Sequence, residues 1–402
     1  MKRILFVTTR NILTSSGELR LIKNRAEFLY SEYGIATDFI AIQTPDRIAA
    51  ANKENINSGG TIKAFPAKFS NPFQSISSYR CAYKEVENDV LTGKYSTLVF
   101  SGNGLESWAK RIKRVSNIKV LYDIHGANED LVEVARKSGF IKKCILNLLY
   151  YKQTFCEKKY LSYADGALVV TKALEEYTRK RYKLSERFKF YIIPCATSSL
   201  GIENGEYQEY RRKYRQKYGI KDDEVAFIYS GGISPWQCIE ETIEVYRKLQ
   251  SQIKQKSKLL IFSFNIDAIK HLLEGIEVIH DRYSPDELSK ALCAGDYAFL
   301  LRQDNLTNNV AFPNKFLEYV QGGMKIITTP YVYEISQQVQ DFEFGILYDF
   351  STNLSNIVDY IDKRTDCHEY DKEYVDKVLI YNSFSTRTKE LALDIMENET
   401  QK

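Results

Sequence analysis

The sequence predicts an α/β protein built from two Rossmann-like domains, and three observations carry that prediction. Short β-rich apolar runs alternate with longer helical patterns, the signature of parallel strands joined by crossover helices. The alternation stops in a polar stretch near residue 200 and begins again with a fresh apolar run at 225–230. A chain of 402 residues is more than one α/β domain usually needs and ordinary for two that each bury a core. Two such domains are expected to face each other across a cleft.

In the first domain, strands are expected at 4–7, 37–41, 61–64, 97–100, 119–123, 166–170 and 191–194, with helices at 17–33, 75–92, 105–115, 141–163 and 172–182. The stretch 196–221 is polar and ends in the charged run 210–217 without a strand pattern, so it reads as the connection between domains. Strands then follow at 225–230, 259–264, 277–279, 297–301, 325–328 and 346–348, with helices such as 240–253 and 315–321 between them. The expected domains are 1–198 and 199–380. A helix within 381–402 closes the chain and is expected to pack back on the first domain.

Composition narrows the function. Lys plus Arg exceed Asp plus Glu by only 56 to 52, a net +4 that does not mark the whole chain as a nucleic-acid binder. The seven cysteines are scattered and never spaced as CxxC, which argues against a disulfide framework or a zinc site and fits a reducing cytosol. The N-terminal apolar run is too short for a signal segment, and no run of about 18 apolar residues occurs, so no membrane-spanning helix is expected. GxSxG, HExxH and GxxxxGK[ST] are missing, which removes the commonest hydrolase and P-loop readings.

Open α/β sheets bind ligands beyond the carboxyl ends of their strands, so function is sought just after each predicted strand. The richest place combines Arg302 with Phe312-Pro313-Asn314-Lys315-Phe316-Leu317-Glu318-Tyr319-Val320-Gln321-Gly322-Gly323. Asn314 is placed to cap a helix whose N-terminal amides favour an anion, and Lys315 adds a full positive charge there. Glu318, one turn on, is suited to accept hydrogen bonds from vicinal sugar hydroxyls. The structural alternative is an exposed i,i+3 ion pair between Lys315 and Glu318, worth about 0.2–0.5 kcal/mol. A second place is the turn Ser230-Gly231-Gly232, where glycines let backbone amides approach a phosphate. A third is Asp123-Ile124-His125-Gly126 after a first-domain strand, where His125 is either structural or a hydrogen-bonding group for a sugar or phosphate. The last is Gly17 in Thr14-Ser15-Ser16-Gly17-Glu18, after the first strand.

The run from Phe312 to Gly323 and the strand that follows resemble the second domain of GT-B retaining glycosyltransferases of glycosyltransferase family 4, whose pattern is Ser-Pro-x-Lys-hydrophobic-x-Glu-Tyr-x-x-x-Gly. That resemblance implies a GT-B architecture, with Glu318 on the ribose and Lys315 and Arg302 on the diphosphate. It also implies that Ser230, Gly231 and Gly232 face the diphosphate, that His125 lies beside the donor sugar, and that the loop at Gly17 approaches the donor phosphates. Two departures stand out. The family's first glutamate, eight positions before Glu318, is Val310 here, with Asn308 and Asn309 as hydrogen-bonding substitutes. The family's Arg after the glycine turn and its later Lys-Gly are Ile233 and Gln237-Cys238.

The function so implied is transfer of a sugar from a nucleotide diphospho-sugar, UDP-linked before GDP-linked, to a hydroxyl of a glycan or lipid-linked saccharide in bacterial surface polysaccharide biosynthesis. Retention follows from the resemblance alone. No Asp-x-Asp pair follows a strand, so neither a metal nor another cofactor is expected, and Lys315, Arg302 and helix-terminal amides would neutralise the leaving diphosphate. Two other classes share the architecture: a non-hydrolysing nucleotide-sugar epimerase, which should carry more cleft carboxylates and histidines than a chain with four histidines offers, and a non-catalytic scaffold, favoured by Val310 and the altered glycine turn. The stretch 140–163 mixes five lysines with many apolar and aromatic residues and reads either as an ordinary domain helix or as a peripheral membrane contact on the inner face of the cell membrane.

Overall fold

A computed structural model of the chain describes residues 2–13, 17–50, 56–68, 72–136, 138–195, 201–363 and 370–397. Thr14, Ser15, Ser16 and Cys367 lie outside the described residues. The chain divides into two compact units, Met1–Ser198 with Ser383–Lys402, and Ser199–Asn382.

The first unit runs β1 (Arg3–Thr8), α1 (Gly17–Tyr33), β2 (Ala36–Gln43), α2 (Pro45–Ala49), β3 (Ile62–Pro66), α3 (Pro72–Leu91), β4 (Thr97–Ser101), α4 (Glu106–Val115), β5 (Lys119–Ile124), α5 (Asp130–Arg136), α6 (Phe140–Tyr163), β6 (Gly166–Val169), α7 (Lys172–Tyr182) and β7 (Lys189–Ile192). Its seven strands lie in the order β3-β2-β1-β4-β5-β6-β7, every neighbouring pair parallel. The central strands are buried from end to end, which is why they read as unbroken apolar runs rather than alternating ones.

In the second unit α8 (Asn204–Lys217) precedes β8 (Val225–Ser230), α9 (Ile239–Gln250), β9 (Ser257–Phe262), β10 (Val278–Asp281), α10 (Pro285–Leu292), β11 (Tyr297–Leu300), α11 (Leu306–Asn309), α12 (Lys315–Gln321), β12 (Lys325–Thr328), α13 (Tyr333–Asp341), β13 (Gly345–Leu347), α14 (Ser355–Lys363) and α15 (Lys372–Tyr381). The sheet order is β10-β9-β8-β11-β12-β13, again all parallel. Phe227 packs between Tyr297 and Phe299, its ring stacked at 5.5 and 5.4 Å, and anchors the core between this sheet and α9.

In both sheets the order of strand addition reverses at one point, between β1 and β4 in the first unit and between β8 and β11 in the second. At such a switch point the loops leave on opposite faces of the sheet and open a crevice beyond the strand ends.

The charged run 210–217, read above as a connection, is the body of α8. It folds because two of its arginines turn inward: Arg211 donates to Asp296 Oδ1 at 2.6 Å and Arg215 to Asp296 Oδ2 at 3.3 Å, while the amide of Ala226 donates to the same carboxylate at 2.7 Å. Asp296 is fully buried at the start of β11, so its charge needs these partners and holds them. After α15 the buried Asn382 exchanges hydrogen bonds with Gln338 across the second unit. The chain then enters α16 (Phe384–Glu397), which packs on α1 and β7 and adds Phe384, Leu391, Ala392 and Ile395 to the core of the first unit.

Candidate functional site

The residues singled out in the second half converge at the switch point of the second sheet. β8 ends at Ser230, and the chain turns through Gly231, whose φ of +117° is open to glycine but costly for other residues. β11 ends at Leu300 and delivers Arg302 two residues later. A reciprocal pair holds that loop to the end of β12: Arg302 N donates to Thr329 Oγ1 at 3.1 Å, and Thr329 Oγ1 donates to Arg302 O at 2.8 Å. α12 then carries Lys315 back over the glycine turn.

Lys315 Nζ donates to Gln237 Oε1 at 2.6 Å and lies over the Tyr229 ring at 4.5 Å from its centroid. A Cβ on Gly231 would sit 2.3 Å from Lys315 Cε and 2.5 Å from Nζ, so the turn needs glycine to seat the ammonium as well as to adopt its φ. The backbone amides of this turn are largely committed elsewhere. Ser230 N donates to Tyr319 OH at 2.9 Å and Gly231 N to Phe262 O at 2.8 Å, so neither is the free phosphate donor expected of them. Gly231 makes room for a cation rather than offering its amide.

Arg302 is buried, and its guanidinium donates to the carbonyls of Leu301 at 2.7 Å and Gln237 at 3.3 Å. Gln237 thus holds both cations, the ammonium through its side chain and the guanidinium through its backbone. Tyr229 OH completes the frame by donating to Gly232 O at 2.5 Å, with Gln237 Oε1 3.1 Å away. Neither Lys315 nor Arg302 forms an ion pair with a carboxylate among the described residues. Burial, and next the Arg302 charge, push the Lys315 ammonium well below its usual range, and burial also lowers Arg302. Glu318 acts on Lys315 through its charge and offsets this lowering only in part.

Asn314 does not cap α12. Its backbone is already helical (φ −54°, ψ −33°) and its side chain accepts nothing from the first turn, because the helical path begins one residue earlier, with Phe316 N bonded to Pro313 O at 3.0 Å. The exposed Lys315–Glu318 pair raised as an alternative is likewise replaced by the bond to Gln237. Val310, at the family's first glutamate, is buried. The neighbouring amides hold the loop: Asn308 Nδ2 donates to Gln303 O at 3.0 Å, and Asn309 Nδ2 to Asp304 Oδ1 and Tyr333 OH, each at 3.1 Å. A cavity of 200 Å³ lies beside the turn, lined by Ser230, Gly231, Gly232, Phe264, Arg282 and Tyr283 among others.

In the first unit, His125 follows β5. Its Nε2 is 2.8 Å from Asp123 Oδ2, and Asp123 is also gripped by Arg25 through two bonds of 3.0 and 2.9 Å. Burial alone would raise the Asp123 carboxyl, but Arg25 and His125 outweigh it and keep it ionised far below the usual range. Burial lowers the imidazole, and Asp123 opposes this only in part. A neutral ring whose Nε2–H is given to Asp123 presents Nδ1 as an acceptor. Gly17 opens α1, on the helix that brings Arg25 to Asp123. A groove of 1260 Å³ between α3 and α4, lined by Tyr79, Arg80, Tyr83, Trp108 and Arg111, contains none of the residues predicted from sequence.

No protein-family model matches the sequence, and no curated protein matches it by sequence. Solved structures do match the fold. A glycosyltransferase from Rickettsia africae superimposes with a TM-score of 0.69 at 14% identity, covering 99% of both chains. Sucrose-phosphate synthase from Thermosynechococcus elongatus gives 0.68 at 14% identity, over 99% of this chain and 98% of that one. Anabaena HepE in complex with UDP gives 0.65 at 12% identity, over 98% and 100%. The chain has the GT-B fold.

Within that fold, the sequence motifs singled out Arg302, Lys315, Glu318 and the glycine turn. They missed Gln237, Tyr229 and Tyr319. Gln237 stood out only as the loss of a basic residue, whereas it is the group that seats both cations. Among the described residues of this GT-B chain, no group of three or more His, Cys, Asp or Glu is placed to hold a metal ion.

Proposed function

We propose that the protein is a glycosyltransferase that binds a UDP-sugar at the switch point of its second unit and transfers the sugar, with retention, to a hydroxyl of a saccharide in surface polysaccharide assembly. The observation that carries this reading is the pair of basic side chains, Lys315 and Arg302, both bonded to Gln237 and neither in an ion pair with a carboxylate among the described residues. A diphosphate supplies the missing negative charge, and as the sugar leaves, the extra charge on the β-phosphate develops against groups already in place. Glu318, on the same short helix as Lys315, is assigned to the ribose hydroxyls. The small cavity beside the turn, with Phe264 exposed at its wall, is assigned to the base. His125 is assigned to the donor sugar through Nδ1, on the strength of the resemblance. The structural neighbour crystallised with UDP and with UDP-glucose supports a uridine donor.

Calorimetric titration of UDP and of GDP, with and without magnesium, tests the donor site. UDP is expected to bind without metal, and Glu318→Ala and Lys315→Ala are each expected to weaken it by about 1–3 kcal/mol, the range for a lost charged hydrogen bond. Failure of the folded protein to bind either nucleotide would remove the donor site and the transferase reading with it.

A further inference from the structure

Helix α6 has an inverted surface. Its last two turns are anchored: Cys156, Glu157, Tyr160 and Leu161 are buried, Tyr160 stacks on Tyr122 with centroids 4.3 Å apart, and its hydroxyl accepts the Leu105 amide at 2.9 Å. The first four turns, residues 140–155, are different. Phe140 is 82% exposed, Leu148 71% and Tyr151 69%, and Ile141, Ile145 and Phe155 are each more than half exposed. At 100° per residue these six side chains fall within one arc, opposite Tyr150 and Glu157, which face the unit. A surface helix ordinarily turns its polar face to water. This one turns an apolar face outward.

The charge on this segment has one sign. Lys142, Lys143, Lys152, Lys158 and Lys159 are all exposed, and the one acidic residue of the helix, Glu157, is buried. Lys159 lies over the Phe155 ring at 4.4 Å, so cation and apolar surface share one face. A second copy of the chain fits this face poorly, because two-fold pairing of identical patches sets lysines against lysines. An anionic bilayer surface offers what the face lacks, negative charge at the level of the ammonium groups and hydrocarbon just below it. The exposed stretch is about 24 Å long at about 1.5 Å per residue, short of the roughly 30 Å hydrocarbon core, so it suits lying in the interface. No helix among the described residues is long and apolar enough to cross a membrane.

We propose that residues 140–155 of α6 dock the protein on an anionic lipid bilayer, with Phe140, Ile141, Ile145, Leu148, Tyr151 and Phe155 entering the headgroup region and the lysines meeting lipid phosphates. This goes beyond the transferase reading and does not need it, since the surface lies on the first unit and the donor site on the second. Taken together, the two favour an acceptor that stays on a membrane lipid.

Sedimentation of the full chain with vesicles tests the proposal. Binding is expected to vesicles containing phosphatidylglycerol and to be much weaker with pure phosphatidylcholine. Leu148→Glu with Phe155→Glu should reduce binding at least about tenfold. The charge variant Lys152→Gln, Lys158→Gln, Lys159→Gln, whose lysines lie within the same arc, should reduce it by about fivefold per lysine at low salt. All substitutions are at exposed positions, and matching thermal melts and UDP titrations establish that the variants are folded. Wild-type protein that ignores anionic vesicles, or variants that bind as wild type does, would overturn the proposal. So would a concentration-dependent dimer that the Leu148→Glu, Phe155→Glu protein loses while neither protein binds lipid. Loss of UDP binding in wild type with vesicle binding intact would fault the donor site and leave this surface standing.

Discussion

At the scale of single residues, the proposed donor site depends on how Lys315 is held. Burial makes its ammonium easier to deprotonate in the folded chain than in the unfolded one. From its lowered folded value up to the ordinary lysine value of 10.5, the unfolded chain therefore binds more protons, and stability rises with pH across that window. Below the window the charge is present in both states and costs the folded one its full desolvation penalty. Lys315→Met removes the penalty and keeps the length of the side chain. The variant is expected to melt at or above the wild-type temperature at pH 7, with a flatter dependence on pH above 7, while UDP binding falls by about tenfold or more. A lower melting temperature at pH 7 would mean that the bond to Gln237 outweighs the desolvation cost, and that Lys315 stabilises the free protein rather than awaiting a ligand.

At the scale of elements, α6 is fastened by polar groups that look unsuited to a core. Glu157 is buried, its Oε2 accepts Asn128 Nδ2 at 2.6 Å, and burial pushes its carboxyl up to about 7 from 4.5. Between those two values the folded chain holds a proton that the unfolded chain has released, so stability falls as pH rises through the window and stays lower above it. Glu157→Gln retains an acceptor for Asn128 and cannot ionise. It should melt with wild type at pH 5 and several degrees above it at pH 8, as followed by circular dichroism. An equal shift at both pH values would point to packing rather than ionisation. The apolar content of α6 was plain in the sequence, but not its placement. The sequence left the stretch open between an ordinary domain helix and a peripheral membrane contact, and only the structure shows that its first four turns, about two-thirds of the helix, expose their apolar side chains.

At the scale of the whole molecule, the first unit is closed by the end of the chain. Asp394 on α16 accepts Lys119 Nζ on β5 and Lys189 Nζ on β7, both at 2.9 Å, and bonds Tyr191 OH. Three large apolar side chains of the helix, Phe384, Leu391 and Ile395, are buried in the first-unit core. At about 1.5–3 kcal/mol each, their burial contributes roughly 5–9 kcal/mol, comparable with the roughly 5–15 kcal/mol that holds a typical domain folded. Removal of residues 383–402 is expected to abolish the cooperative thermal transition of the first unit and to leave that of residues 199–382, resolved by calorimetry. A truncated chain that keeps both transitions would show that α16 merely covers a core already complete.

The sequence by itself determined most of the alternation of strands and helices in both units, because most strands are apolar runs and most helices periodic ones, and both signals are local. It also singled out Arg302, Lys315 and Glu318 as candidates, since a cation after a strand and a lysine three residues before a glutamate are visible without a fold. Tertiary structure decided the rest. Lys315 meets Gln237 and Gly231 across 78 and 84 positions of chain, and no local pattern marks a glutamine as the seat of two cations. The run 210–217 looked like a solvated linker because arginines usually face water, and the buried carboxylate of Asp296 reversed that. Burial is a property of what lies opposite a side chain, and that is settled only when distant segments meet.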